Sequence, residues 1–124
     1  KNKFKYRIII MAIINTWSIS NMQHTASDGG VFSVCWDMIS KSDCDNAYTA
    51  SDGGRLRCEY DASSSSYIPY ADLTENIVLG WIYNSLVKDE ETAQEAKARI
   101  ENERTVKVQN QIDAAATTAS GVPW

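Results

Sequence analysis

Tyr67-Ile-Pro-Tyr-Ala-Asp-Leu-Thr-Glu-Asn-Ile-Val-Leu-Gly-Trp-Ile-Tyr-Asn-Ser-Leu86 is the stretch on which the fold of this chain turns. Asp72-Leu-Thr-Glu75 sets an acid three residues before a glutamate, close to a capping box, with Thr74 as the alternative cap of the same helix. Ile77, Val78, Trp81, Ile82 and Leu86 then recur at helical spacing and make one apolar stripe. A helix with one such stripe must bury it, and the expected arrangement lays it over one face of a sheet. Gly80, beside Trp81, is expected to let helix and sheet approach closely, at a propensity cost of ~1 kcal/mol relative to Ala.

The residues before this helix carry the sheet. Ile13-Ile-Asn-Thr-Trp-Ser-Ile-Ser-Asn-Met22 alternates apolar with polar side chains, placing Ile13, Asn15, Trp17 and Ile19 on one face of a half-buried strand. Thr25-Ala-Ser-Asp-Gly-Gly30 then recurs verbatim as Thr49-Ala-Ser-Asp-Gly-Gly54. Each copy precedes a strand-like run, Val31-Phe-Ser-Val-Cys-Trp36 and Arg55-Leu-Arg-Cys-Glu-Tyr60. Asp-Gly-Gly offers positive-φ positions for a tight reversal, so both copies are expected to be turns between hairpins of one antiparallel sheet. Ser63-Ser-Ser-Ser66 reads as the loop from sheet to helix.

After Leu86 the pattern changes. Asp89 is expected to cap a second helix reaching about Ala115, with Glu90, Glu91 and Glu95 near its positive end. Ala93, Ala96, Ile100, Val108 and Ile112 give it a thin apolar face, interrupted at Glu103 and Arg104. A helix ~40 Å long with so little apolar surface needs a neighbour, either its own domain or another subunit. Beyond it, Ala114-Ala-Ala-Thr-Thr-Ala-Ser-Gly-Val-Pro-Trp124 is an arm of small residues leading to a large aromatic. Pro123 stiffens it, and Trp124 suits an anchor in a pocket of the same domain or of a neighbour. The candidate interface residues are therefore Ile100, Val108, Ile112, Val122, Pro123 and Trp124.

Composition excludes several function classes. With 124 residues the chain supports one small domain. Its formal charge is −4, and since Lys1, Lys3, Lys5 and Arg7 stand in the first ten residues without an acid, residues 11–124 carry −8. An acidic body argues against nucleic acid as a partner, because phosphate-backbone affinity rests on Lys and Arg. The basic start followed by Ile8-Ile-Ile-Met-Ala-Ile-Ile14 is too short in its apolar part to span a bilayer, and no small-residue cleavage site follows. Met11 is expected to open the conventional protein, with residues 1–10 as a basic extension, residues 11–86 as the sheet-and-helix core and residues 87–124 as polar helix and assembly arm.

No catalytic or cofactor-binding residues and no metal site are expected. Cys35, Cys44 and Cys58 are an odd number without C-x-x-C spacing, and His24 is the sole histidine, which disfavours a disulfide framework, a zinc site and a hydrolytic triad. Cys35, in an apolar run, reads as a small core residue. Asp28, Asp43, Asp45 and Asp52 lack the alternating oxygen ligands and terminal glutamate of a calcium loop, so their aspartates read as turn residues.

The Trp-containing first strand, the Asp-Gly-Gly-Val turn, Pro69-Tyr-Ala-Asp-Leu-Thr-Glu75, Gly80-Trp81 and Ser120-Gly-Val-Pro-Trp124 together resemble a family of small proteins encoded by tailed bacteriophages, including phages of marine cyanobacteria. The resemblance covers most of residues 11–124 and implies a phage origin. It supplies no catalytic residues.

The expected fold is thus α+β: a small antiparallel sheet covered by an amphipathic helix, plus a second polar helix and an extended C-terminal arm. The expected function is that of a structural component of the phage virion, a capsid decoration or cement subunit, made in the host cytoplasm. Its expected partners are other virion proteins (the major capsid protein or tail proteins) and further copies of itself, with no membrane role. A tail or neck accessory protein, or a non-virion phage protein that binds a host protein, is the alternative.

Overall fold

The computed structural model describes residues 12–43, 47–117 and 121–124. The basic extension, Met11, Cys44, Asp45 and Ser120 lie outside them.

Three antiparallel strands form one sheet in the order β1 (Ile13–His24), β2 (Val31–Ser42), β3 (Thr49–Arg57). Two helices follow, α1 (Glu75–Ser85) and α2 (Ala93–Thr117). This is the expected α+β arrangement of a small sheet with helices.

The alternation in β1 sets the sheet's polarity. Ile13, Asn15, Trp17 and Ile19 point towards the helices, each flanked by outward residues. The register then slips between Ile19, opposite Trp36, and Asn21, opposite Cys35, leaving Ser20 as the extra residue of a bulge. A one-residue bulge flips the side-chain parity, so Met22 returns to the core face from an even-numbered position. On β2 the inward set is Val34, Trp36, Met38, Ser40 and Ser42. Cys35 lies between two of these, half-buried on the opposite face, and is not a core residue.

The repeated hexapeptide takes two conformations. Its first copy is the β1–β2 turn: Gly29 has φ +74° and donates to Thr25 O at 2.7 Å, and Thr25 N donates to Gly30 O at 2.9 Å. The second copy is not a turn. Thr49–Gly54 forms the first two-thirds of β3, paired residue by residue with Lys41 to Trp36. Gly54 lies under the Trp36 indole, where a Cβ would come within 3.2 Å of Nε1. The strand ends at Arg57, short of the expected Tyr60.

Thr74, the alternative cap, starts α1: it is extended (φ −121°, ψ 162°) and its Oγ1 accepts from Ile77 N at 3.3 Å. Asp72 belongs to a single 3-10 turn upstream. Glu75, in the first turn of α1, accepts from Ile19 N at 3.1 Å and ties the helix to β1 beside the bulge. Val78, Leu79 and Ile82 are buried, with Trp81, Tyr83 and Leu86 packed around them. Among the described residues a Cβ on Gly80 would meet nothing within 4 Å, so close approach to the sheet is not what this glycine provides.

Asp89 does not cap α2; it stands at φ 54° in the connection. Thr92 and Glu95 form the capping box instead, with Glu95 N donating to Thr92 Oγ1 at 3.1 Å and Thr92 N donating to Glu95 Oε1 at 2.9 Å. Arg99 closes the junction. It donates from Nε and Nη2 to the two Glu91 carboxylate oxygens, at 2.9 and 3.2 Å, and from Nη2 to the Leu86 carbonyl at 2.9 Å, which satisfies an acceptor at the end of α1.

The second helix packs across all three strands of its own sheet. Ala96 and Ile100 face the core around Trp17, whose ring stacks on Trp36 at 5.4 Å and meets the edge of Tyr83 at 5.0 Å. Glu101 accepts from Trp17 Nε1 at 2.8 Å and supplies the partner a buried indole N–H requires. Further along, the inward face of the sheet turns polar. Ser40 donates to Asn15 Oδ1, Thr105 donates to the same oxygen at 3.5 Å, and Arg104 donates to Asp52 at 3.3 Å. The break in the apolar stripe at Arg104 therefore lies opposite matching polar groups on the strands.

Candidate interaction surfaces

Of the six candidate interface residues, two are ruled out by packing. Ile100 is 7% exposed and Val108 0%, both buried within the chain, so this face of α2 is spent on its own domain. Ile112 is half-buried. Val122, Pro123 and Trp124 are all exposed, Val122 at 64% and Trp124 at 92%. Gly121 precedes them at φ 123°, a conformation that favours glycine. An indole in full contact with water is unfavourable, since an aromatic ring gains by burying ~150–250 Å².

A second surface forms where β3 ends. The chain leaves Arg57, runs through Cys58, Glu59 and Tyr60, and returns through Tyr67 and Ile68 to α1. These residues, with Leu56, Leu73, Trp81 and Ser85, enclose a cleft of about 340 Å³. That is the lower end of the ~300–1,000 Å³ usual for small-molecule pockets.

The cleft's outer wall is held by the first Asp-Gly-Gly copy. The Tyr60 hydroxyl donates to Asp28 Oδ1 at 3.1 Å and lies 3.0 Å from Thr25 Oγ1, and Tyr67 donates to the Asp28 carbonyl at 3.3 Å. Tyr60 lies so close over Gly30 that a Cβ there would come 2.0 Å from its ring. His24 packs against Tyr70, ring centroids 4.0 Å apart, on the same turn. Cys58 is a free thiol whose partial burial raises its pKa and keeps it protonated, so it acts as an apolar liner.

The third surface is the sheet face turned away from the helices. Ile14 and Ile39 are exposed there, on adjacent strands, beside Thr16, Lys41 and Asp43. Ile14 lies opposite Lys41 and Thr16 opposite Ile39, so the patch sits at the Thr49 end of the sheet, remote from the cleft.

Polar clusters are accounted for locally. Asp28 accepts from Gly30 N and Tyr60, whereas Asp52 accepts from Gly53 N at 2.8 Å and Arg104. Asp61 is held below the usual carboxylate range by the hydroxyl and backbone N–H of Ser63. Tyr83 is pushed up, first by burial and then by the charges of Glu101 and Glu75. Among the described residues, no group of three or more His, Cys, Asp and Glu side chains is placed to hold a metal ion. Among them, too, no helix is long and apolar enough to cross a membrane.

What the sequence pattern missed is the cleft. Its walls come from five separated segments, and only Trp81 belonged to a periodic stripe. The tyrosines at 60 and 67 were visible in the sequence, but nothing local joins them to Asp28. No curated protein and no solved structure matches this chain. Residues 12–124 do match a family described as a domain of unknown function (DUF7936), and the chain belongs to that family.

Proposed function

We propose that this protein is a structural subunit of a tailed-phage particle, a capsid decoration or cement protein that acts through protein–protein contacts rather than catalysis. The observation that carries the reading is Trp124, 92% exposed beside an exposed Val122 and Pro123. A large aromatic kept in water on a short arm makes sense where a neighbouring subunit covers it, and buried Trp residues dominate many interfaces. The open sheet face around Ile14 and Ile39 offers a second contact on the same molecule. The resemblance to phage-encoded proteins supplies the setting. Binding to neighbours in the particle then stabilises subunit and shell together by mass action.

Quantitative mass spectrometry of purified particles tests this. A copy number comparable to that of the major capsid protein is the expected result. A few copies per particle would move the protein to the tail or neck. Absence from particles would overturn the reading in favour of a protein that binds a host component during infection.

A further inference from the structure

The C-terminal part of α2 and the cleft lie at opposite ends of β3. Arg104 meets Asp52 and Gln111 donates to the Thr49 carbonyl at 2.9 Å, so α2 runs antiparallel to β3 and leaves the sheet at its Thr49 end. The cleft is lined by Leu56 and Arg57, at the other end of that strand. Eight strand steps from Thr49 to Arg57 cover ~26 Å, and the helix carries on ~9 Å past Gln111 to Thr117. Thr117 therefore lies up to about 35 Å from the cleft end of β3, while the seven residues on to Trp124 span at most ~25 Å when fully extended. To reach its own cleft, an arm leaving at the Thr49 end would have to turn back along the length of β3.

We infer that the cleft beside Tyr60, Tyr67 and Trp81 receives the Val122-Pro123-Trp124 arm of a second copy of this chain. The chemistry of the two surfaces matches. Leu56, Leu73 and Trp81 provide an apolar floor for an indole, and the Tyr60 and Tyr67 rings, with centroids 6.2 Å apart, form the aromatic wall against which proline-containing extended segments dock. The cleft is preformed, because the tyrosine hydroxyls are already fixed by the Asp28 turn, so little ordering is needed on binding. An arm from one copy entering a cleft on the next is a heterologous contact. Repeated, it closes into a ring or grows as an open filament. The inference rests on the assembly reading only in taking the arm as a contact-making element.

Two variants of the full chain test it by complementation. Trp124→Ala keeps the cleft and loses the anchor. Ser85→Trp fills the cleft from the exposed end of α1 and keeps the arm. Circular dichroism checks that both stay folded, and Ser85→Ala serves as the control that leaves the cleft open.

In sedimentation velocity the wild type and Ser85→Ala are expected to self-associate with rising concentration. Each of the other two variants alone is expected to weaken at least ~30-fold, the scale of a hot-spot residue. An equimolar mixture of Trp124→Ala and Ser85→Trp is expected to recover a 1:1 dimer that grows no further, since only one productive arm–cleft pair remains. A peptide of residues 117–124 should bind Trp124→Ala and not Ser85→Trp. The inference is overturned by a wild type that stays monomeric into the millimolar range, as it would if Trp124 covered Ile14 and Ile39 of its own chain. It is equally overturned by a mixture no heavier than its components. Either result leaves the particle reading to stand or fall on the copy number alone.

Discussion

Arg104 Nη2 on α2 donates to Asp52 Oδ2 on β3 at 3.3 Å, a partner that only the strand-forming copy of Thr-Ala-Ser-Asp-Gly-Gly meets. In the first copy the equivalent residue, Asp28, folds back on Gly30 and takes the Tyr60 hydroxyl. The local sequences are identical, so the difference comes from the partners each copy meets.

The ion pair gives a test. Both side chains are about three-quarters buried, and Arg104 Nε is buried with no hydrogen-bond partner among the described residues. Asp52→Asn therefore leaves an unpaired guanidinium against the sheet and is expected to cost ~1–2 kcal/mol, between the values for exposed and fully buried pairs. Adding Arg104→Met removes the stranded charge and should restore part of that loss. Urea denaturation of the two single variants and the double variant checks it, and simple additivity would contradict the coupling.

Gly80 and Gly30 are expected to respond in opposite directions to alanine. With nothing within 4 Å of its Cβ position, Gly80→Ala should stabilise α1 by ~0.5–1 kcal/mol through propensity and unfolded-state entropy. Gly30→Ala drives a methyl into the Tyr60 ring and should cost ~1–3 kcal/mol as that ring is displaced. Thermal melts of the two variants decide the point. A destabilised Gly80→Ala would mean that α1 does meet a close neighbour at that position.

Glu91 sets a pH dependence whose sign follows from its partners. The Arg99 side chain, and then the Lys88 backbone N–H, hold its carboxyl below the ordinary value of 4.5. The folded state thus binds this proton less readily than the unfolded chain. The contribution is present above the ordinary value and is lost as pH falls through the depressed one. Glu91→Gln is expected to lower the urea midpoint at pH 7, and the gap to wild type should close as the pH is taken below the depressed value. A gap of constant size would show that the carboxylate charge plays no part.

How far these features were readable varies with how local they are. The alternation around Trp17 and the stripe from Ile77 to Leu86 were legible because each is written in one continuous segment. So was Thr74 as a possible cap. The Thr92–Glu95 capping box has a Thr-x-x-Glu spacing, which the expectation of Asp89 as the cap passed over. The bulge at Ser20 carried no signal, because it is fixed by register with β2. Cys35 was misplaced by its apolar neighbours, since a strand turns alternate residues to opposite faces. The burial of Ile100 and Val108 and the making of the cleft depend on contacts between distant segments, and no period in the chain reports those.

The most direct test of the proposed particle role is to delete Val122–Trp124 and measure how much of the protein remains on purified phage particles. The account predicts a folded protein, with far-UV circular dichroism near that of the full chain, whose copy number per particle falls well below wild type. A truncated protein retained at the wild-type copy number would contradict it.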